Sequence, residues 1–146
     1  MRLHVLTIGK PRLGFARAGI EEYLDRFPPK NGVEVEALRS STREEESKGL
    51  LAHSEGMLRV VLDERGEQIT SRELARKIAG WELQRTKAVA FLIGGADGHT
   101  ETLLKRASLV LSFGAMTWPH QLARAMLAEQ IYRAQQLLAG HPYHRA

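Results

Sequence analysis

The stretch Val89–Ala90–Phe91–Leu92–Ile93 is apolar at every position. A strand with one wet face alternates. A strand apolar throughout is covered on both faces, which is the condition of a central strand in a parallel sheet. The remaining chain is patterned to supply that cover. Leu3–Ile8 is a β-type run stopping at Gly9, and Val33–Leu38 alternates apolar with acidic residues. Leu58–Leu62 is a further strand that closes on Asp63–Glu64–Arg65–Gly66, and Leu109–Leu111 opens a last one ending near Met116. Helical patterns lie between the strands. The first covers Gly14 to Phe27, with Phe15, Ile20, Leu24 and Phe27 on its apolar face, a stop at Pro28–Pro29 and a turn at Asn31–Gly32. Ser41 or Thr42 caps a second helix running toward His53, with Glu44–Glu46 in its first turn, where the dipole favours acids. Thr70 or Ser71 caps a third, carrying Leu74, Ile78 and Trp81 to about Arg85. Thr100 and Glu101 start a short fourth, and Gln121 to Ala139 forms the closing helix.

This alternation predicts one α/β domain over residues 1–146, with a mainly parallel sheet and helices on both faces. Ligands of such sheets sit beyond the carboxyl ends of the strands. Three strand ends here carry unusual chemistry: Leu62–Asp63, Ile93–Gly94–Gly95 and Ala115–Met116–Thr117.

Composition narrows the function. There is no cysteine, so disulfides and thiolate metal sites are excluded, and no metal signature is present. The apolar run at the start is too short for a secretory signal and no run reaches membrane-span length, which predicts a cytoplasmic protein without membrane association. The net charge of +4 is mild, but the first twenty residues hold Arg2, Lys10, Arg12 and Arg17 and no acid. Such a patch can track phosphates, and it can equally be a solvated surface.

Gly94–Gly95–Ala96–Asp97–Gly98 lets the backbone turn sharply and lets a ligand approach the main chain. It is neither GxGxxG nor a P-loop, and a ligand-free strand-to-helix turn would carry the same glycines. Asp63 could hold a ribose hydroxyl or simply serve a turn. A dinucleotide domain is disfavoured because Gly9–Lys10–Pro11–Arg12 replaces a glycine fingerprint after the first strand. Gly114–Ala115–Met116–Thr117–Trp118–Pro119 runs from small residues into a Trp–Pro corner, which suits either a slot for a flat ring or a loop packed on the core. The closing helix is apolar on Ala123, Leu127, Ile131, Ala134 and Leu138, broadened by Leu122, Ala125, Met126, Ala128 and Tyr132. It must be buried on more than one side, either by a second copy of the chain or as a central core helix. The ending His141–Pro142–Tyr143–His144–Arg145 concentrates groups that stack on bases, pair with phosphate or move protons, though a docked tail would also explain it.

Together these parts resemble the small SPOUT-class methyltransferases of the RlmH (YbeA-like) family, which modify large-subunit ribosomal RNA at N3 of a pseudouridine. The residues that carry the resemblance span the chain. They are Arg2–Gly9, Glu21–Pro28, Val61–Leu62–Asp63, Leu92–Ile93–Gly94–Gly95, Thr117 with Pro119–His120, Ala128–Ala134 and His141–Arg145. The resemblance implies a deep C-terminal trefoil knot, which general topology rules would disfavour. It implies an S-adenosyl-L-methionine pocket walled by Leu62, Asp63, Gly94, Gly95, Gly114, Ala115, Met116, Thr117, Trp118 and Pro119. It implies a homodimer with the active site at the subunit interface, and a substrate in helix 69 read on assembled ribosomes. His144, Arg145 and Tyr143 are the candidate catalytic residues, with His120 and Arg124 as further candidates. Two departures stand out. Relatives carry Pro–Glu–Gly where this chain has Ala96–Asp97–Gly98, and Trp118 and Gln121 replace other residues. The competing expectation is an RNA- or ribosome-binding module whose nucleotide pocket is unproductive.

Overall fold

The computed structural model describes residues 1–27 and 32–143. Its elements are β1 (Arg2–Ile8), α1 (Gly14–Leu24), β2 (Val33–Leu38), α2 (Arg43–His53), β3 (Leu58–Glu67), α3 (Ser71–Leu83), β4 (Ala88–Ile93), α4 (Glu101–Lys105), β5 (Leu109–Leu111) and α5 (His120–Ala139). The strands form one sheet in the order β2-β1-β4-β3-β5, and every pairing is parallel. The apolar run anticipated as central is β4, buried at all its positions between β1 and β3.

Both faces of the sheet are covered, as the apolar run requires. On one face Val5, Phe91, Val60 and Leu111 pack with Phe27 beyond α1, and with Leu127 and Ile131 of α5. On the other, Leu6, Ile8, Val61, Ala90 and Leu92 pack with Leu50 of α2 and Leu103 of α4. Helix α5 lies between α1 and α3, and Ala134 joins Leu74, Ala75 and Ile78 in a smaller cluster. Neighbours within the chain therefore account for much of its apolar breadth, although Leu138 of the expected stripe is exposed.

The caps follow local chemistry. Thr42 accepts from the Glu45 N–H, Thr100 from the Leu103 N–H, and Thr70 forms a reciprocal capping box with Glu73. Helix α1 has no side-chain cap of its own. Instead the Gln121 side-chain oxygen accepts from the Arg12 and Leu13 N–H groups at 2.7 and 2.8 Å, which ties the β1–α1 loop to the first turn of α5. Helix α1 ends at Leu24, earlier than expected. The residue before a proline disfavours helical backbone, so Phe27 could not continue the helix. Pro28–Pro29 and Asn31 themselves lie outside the described residues. Phe15 is exposed, because the inward stripe runs through Ala16, Ile20 and Leu24 at four-residue spacing.

Two strand boundaries also differ from expectation, and both shape the site. Strand β3 does not stop at Leu62. Leu62 and Glu67 both pair with Leu111, so residues 63–66 bulge outward and the strand then resumes. A Cβ on Gly66 would lie 2.5 Å from the Val110 carbonyl oxygen, so only glycine allows this approach. Strand β5 does not reach Met116. The Ser112 hydroxyl donates to the Gly114 carbonyl and accepts from the Gly114 N–H, and Gly114 turns with φ +126°. Residues 112–119 are a loop.

Candidate active site

An open cleft of about 1140 Å³ lies at the carboxyl ends of β3, β4 and β5. It is lined by Leu62, Asp63, Gly94, Gly95, Gly114, Met116, Thr117, Trp118 and Pro119, with Ile93, His99, His120 and Ala123 beside them. The structure thus gathers every residue expected at a cofactor wall except Ala115, which is exposed and does not line the cleft. Phe113 packs against the core, but residues 115–119 of this loop are exposed rather than packed on it. Met116 is 71 % exposed, Trp118 is also exposed, and the Thr117 hydroxyl donates to Glu64 at 2.6 Å. These side chains form a wall standing at the mouth.

Asp63 sits in the cleft wall, but its carboxylate is already engaged. It accepts from the Arg65 N–H and from the Arg65 guanidinium at 2.9 and 3.1 Å. Burial alone would raise its pKa. The Arg65 hydrogen bonds outweigh that and hold it below the usual carboxylate range. Holding a ribose would require breaking this pair, which argues against the dinucleotide reading.

Behind the cleft wall lie buried polar side chains drawn from α5, α2 and the loop after β4. Arg124 of α5 is 4 % exposed, and its guanidinium donates to the carbonyls of Ile8 and Gly9, where β1 ends. It also lies 3.3 Å from His120 Nδ1, one helical turn earlier. Burial, then the Arg124 charge, pushes the His120 pKa down. Glu46 of α2 is 6 % exposed, and one of its oxygens accepts from the Ser41 N–H at 2.9 Å. His99 follows the glycine turn, is 5 % exposed, and donates through Nε2 to the Leu62 carbonyl at 3.1 Å. Glu46 Oε1, His99 Nδ1 and Arg124 Nε are buried without a hydrogen-bond partner. Folded proteins seldom tolerate such groups. A fourth, His4 Nε2, lies on β1 toward the other end of the sheet, while Glu46 and His99 border Gly95 and Gly94 at the cleft.

Sequence reasoning had not assigned Glu46 or His99 to the site. Glu46 was read only as a first-turn acid. Its spacing of four from Leu50, which is fully buried, was the available signal that it lies on the inward face. His99 gave no signal beyond following the glycines.

Of the expected catalytic residues, His144 and Arg145 lie outside the described residues. Tyr143 is not brought to the cleft of its own chain. It packs edge-on against Tyr132 with centroids 4.9 Å apart, lies under Arg133, and donates to Glu129 at 3.0 Å. Burial and that hydrogen bond raise its pKa. The turn placing it is closed by Gly140 in the left-handed region and a bond from the His141 N–H to the Gln136 carbonyl. Among the described residues no cluster of ligands could hold a metal ion, and no helix is long and apolar enough to cross a membrane.

Residues 1–144 match the family described as "Predicted SPOUT methyltransferase". The chain is 51 % identical to the ribosomal RNA large subunit methyltransferase H of Rhodospirillum centenum, over 100 % of both chains. Among solved structures it resembles a probable methyltransferase from Bordetella pertussis. The TM-score is 0.58 at 14 % identity, covering 91 % of this chain and 95 % of that one. It also resembles a putative methyltransferase from Legionella pneumophila in complex with bound cofactor SAM. There the TM-score is 0.51 at 10 % identity, covering 92 % and 66 %. At these identities the structural likenesses speak for the fold.

Proposed function

Since the chain belongs to the SPOUT methyltransferase family, we propose that it is an S-adenosyl-L-methionine-dependent methyltransferase acting on large-subunit ribosomal RNA. Its target in this reading is N3 of a pseudouridine in helix 69, met on assembled ribosomes in the cytoplasm. The carrying observation is the cleft at the strand ends, into which the folded chain gathers residues from three separate loops. It suits S-adenosylmethionine chemically. Trp118, Met116, Leu62 and Ile93 offer apolar surface, Gly94 and Gly95 leave main chain approachable, and Asp63, Glu64 and Glu101 place negative charge near the mouth. The return of the chain from the edge strand β5 to the end of β1, where Arg124 docks, supports a trefoil knot.

When bound, the cofactor supplies a methyl group on a positively charged sulfur. The protein must hold the base in line with it, which removes an entropic barrier. The base must also lose its N3 proton, so a nearby cation or donor that favours the anion accelerates transfer. Arg124 provides a buried cation behind His120 of the cleft wall. His120 beside it is kept neutral near pH 7 by burial and by Arg124, the state in which an imidazole can accept a proton.

Tyr143 lies on α5, away from its own cleft, which supports a homodimer whose tails, with His144 and Arg145, serve the partner's cleft. The exposed Leu13 and Phe15 of the β1–α1 region offer apolar surface for such an interface. The small net charge favours recognition of a folded ribosomal surface over long-range attraction.

The test is transfer of a labelled methyl group to intact ribosomes, with mass mapping of the large-subunit RNA. The expected product is one added methyl on a pseudouridine. Truncation after Gly140 should abolish transfer while calorimetry still records cofactor binding. Unchanged transfer by the truncated chain would remove the tail from the mechanism, and absence of cofactor heat from the full chain would favour a binding module.

A further inference from the structure

His99 has no role in what has been described so far. Its ring lies between two walls of the cleft. Nε2 donates to the Leu62 carbonyl where β3 begins its bulge. The ring edge fills the space above Gly94, where a built Cβ would lie 2.9 Å from His99 Cε1 and 3.1 Å from Nδ1. The residue is 95 % removed from solvent, and Nδ1 has no partner.

We propose that His99 is a positioning residue for the cofactor, a neutral imidazole that fixes the Leu62 carbonyl and the Gly94 turn at the spacing the bound cofactor needs. This rests on the methyltransferase reading and adds a residue to it. The tautomer follows from the contacts. The carbonyl can only accept, so the proton is on Nε2 and the buried Nδ1 lone pair is left toward the Gly94 turn. Protonating Nδ1 would bury a donor and a charge with nothing to receive them. The charged groups facing the ring are Asp63 and Arg65 from β3 and Glu46 from α2. Burial dominates these and keeps the ring's pKa below its ordinary value. As pH falls below about 6.5, the ordinary histidine value, the unfolded chain takes up the proton first, and the folded form is penalised until His99 itself titrates. Cofactor affinity should therefore fall on the acid side, because a charged His99 keeps its bond to Leu62 but gains an Nδ1 N–H that the Gly94 turn beside it cannot receive.

Calorimetry with S-adenosylmethionine between pH 5.5 and 8, on the full-length chain, tests this. His99→Leu keeps the bulk and loses the bond. It should bind about tenfold more weakly at pH 7.5, the scale of one net hydrogen bond, with kcat at saturating cofactor unchanged. His99→Gln offers an amide donor toward Leu62. It should recover most of the affinity and lose the acid-side decline, because an amide does not titrate. In the wild-type protein without ligand, ¹⁵N spectra should show the neutral ring with its proton on Nε2. Wild-type affinity in His99→Leu, or an intact acid-side decline in His99→Gln, overturns the proposal. If His99→Leu does not fold, the pH profile of His99→Gln and the ring spectrum decide it. Failure of the wild-type protein to bind the cofactor would instead sink the methyltransferase reading.

Discussion

Two buried arginines sit at opposite ends of the same sheet, and they are treated differently. Arg59, near the start of β3, donates through Nε to the Ser54 hydroxyl at 2.7 Å and through Nη2 to the Leu51 carbonyl at 3.1 Å. Ser54 in turn donates to the Leu50 carbonyl at 2.7 Å. That chain of bonds fastens the end of α2 to β3, and none of its side-chain atoms is buried without a partner. Arg124, at the carboxyl end, also caps backbone carbonyls, but its Nε is orphaned, and at the same end His99 and Glu46, against Gly94 and Gly95, carry orphaned atoms too. Neither arginine has a carboxylate partner in a salt bridge among the described residues. Burial lowers the pKa of both. The difference is therefore not in charge or depth. The amino end is not free of such atoms, since His4 Nε2 is buried without a partner at the level of Arg59, but the Arg59 joint itself is fully bonded, whereas Arg124 keeps an orphaned Nε behind an open cleft.

Substitution at each site sharpens that contrast. Arg124→Ala carries the largest expected effect. Deleting it strips two carbonyls of charged donors, at a cost of about 2–4 kcal/mol in chemical denaturation. It also removes the cation behind His120, so transfer by the remaining folded enzyme should drop by roughly a hundredfold or more. Arg59→Ala should cost about 1–3 kcal/mol by the same denaturation. Its kcat per folded molecule should stay at the wild-type value. If Arg59→Ala lost kcat as steeply as Arg124→Ala, the division between a structural end and a functional end would collapse.

Gly94→Ala tests the carboxyl end more gently. The new methyl would press on the His99 ring and on the Gly98 carbonyl oxygen, 3.2 Å away. The ring edge can yield only by loosening its bond to Leu62. Cofactor affinity should fall roughly tenfold, the worth of that bond, with a stability loss of about 1–2 kcal/mol for a small overpacking. Equal affinity in calorimetry would show that the turn adapts freely.

What the sequence made legible follows from what is local. The wholly apolar β4 announced its own central place, and Thr42, Thr70 and Thr100 announced their helices, because burial on two faces and capping depend on a few adjacent residues. Composition left the glycine turn and residues 114–119 open between a ligand wall and an ordinary turn or packed loop, and the cofactor wall came only from the family resemblance. The β3 bulge was not legible, since it depends on Gly66 meeting Val110, a contact between strands that share no sequence signal. Of the buried polar group, His120 and Arg124 were legible as candidates, while Glu46 and His99 escaped, because only the folded topology brings Glu46 near His99 and His120. Tyr143 shows the converse: its residue type suggested chemistry, while the chain places it on α5.

The finest test of the comparison leaves shape untouched and changes one charge. Glu46→Gln preserves the acceptor for the Ser41 N–H, so stability should change by less than about 1 kcal/mol. The electrostatic consequence is sharper. The Glu46 charge supports the protonated forms of His99 and His120, opposing the burial that depresses both. Removing it should move both titrations to lower pH. Arg124→Ala removes a cation beside His120 and should move that titration upward. A histidine with a depressed pKa contributes stability above about pH 6.5 that is lost as pH falls toward its folded pKa. Lowering that pKa further, as in Glu46→Gln, extends the loss to lower pH and steepens the acid destabilisation. Two-dimensional NMR of His120 in the two variants reads these opposite shifts directly. Shifts of the same sign would mean that Glu46 and Arg124 do not act on His120 through their charges, and the carboxyl end would then be only a loosely packed copy of the amino end.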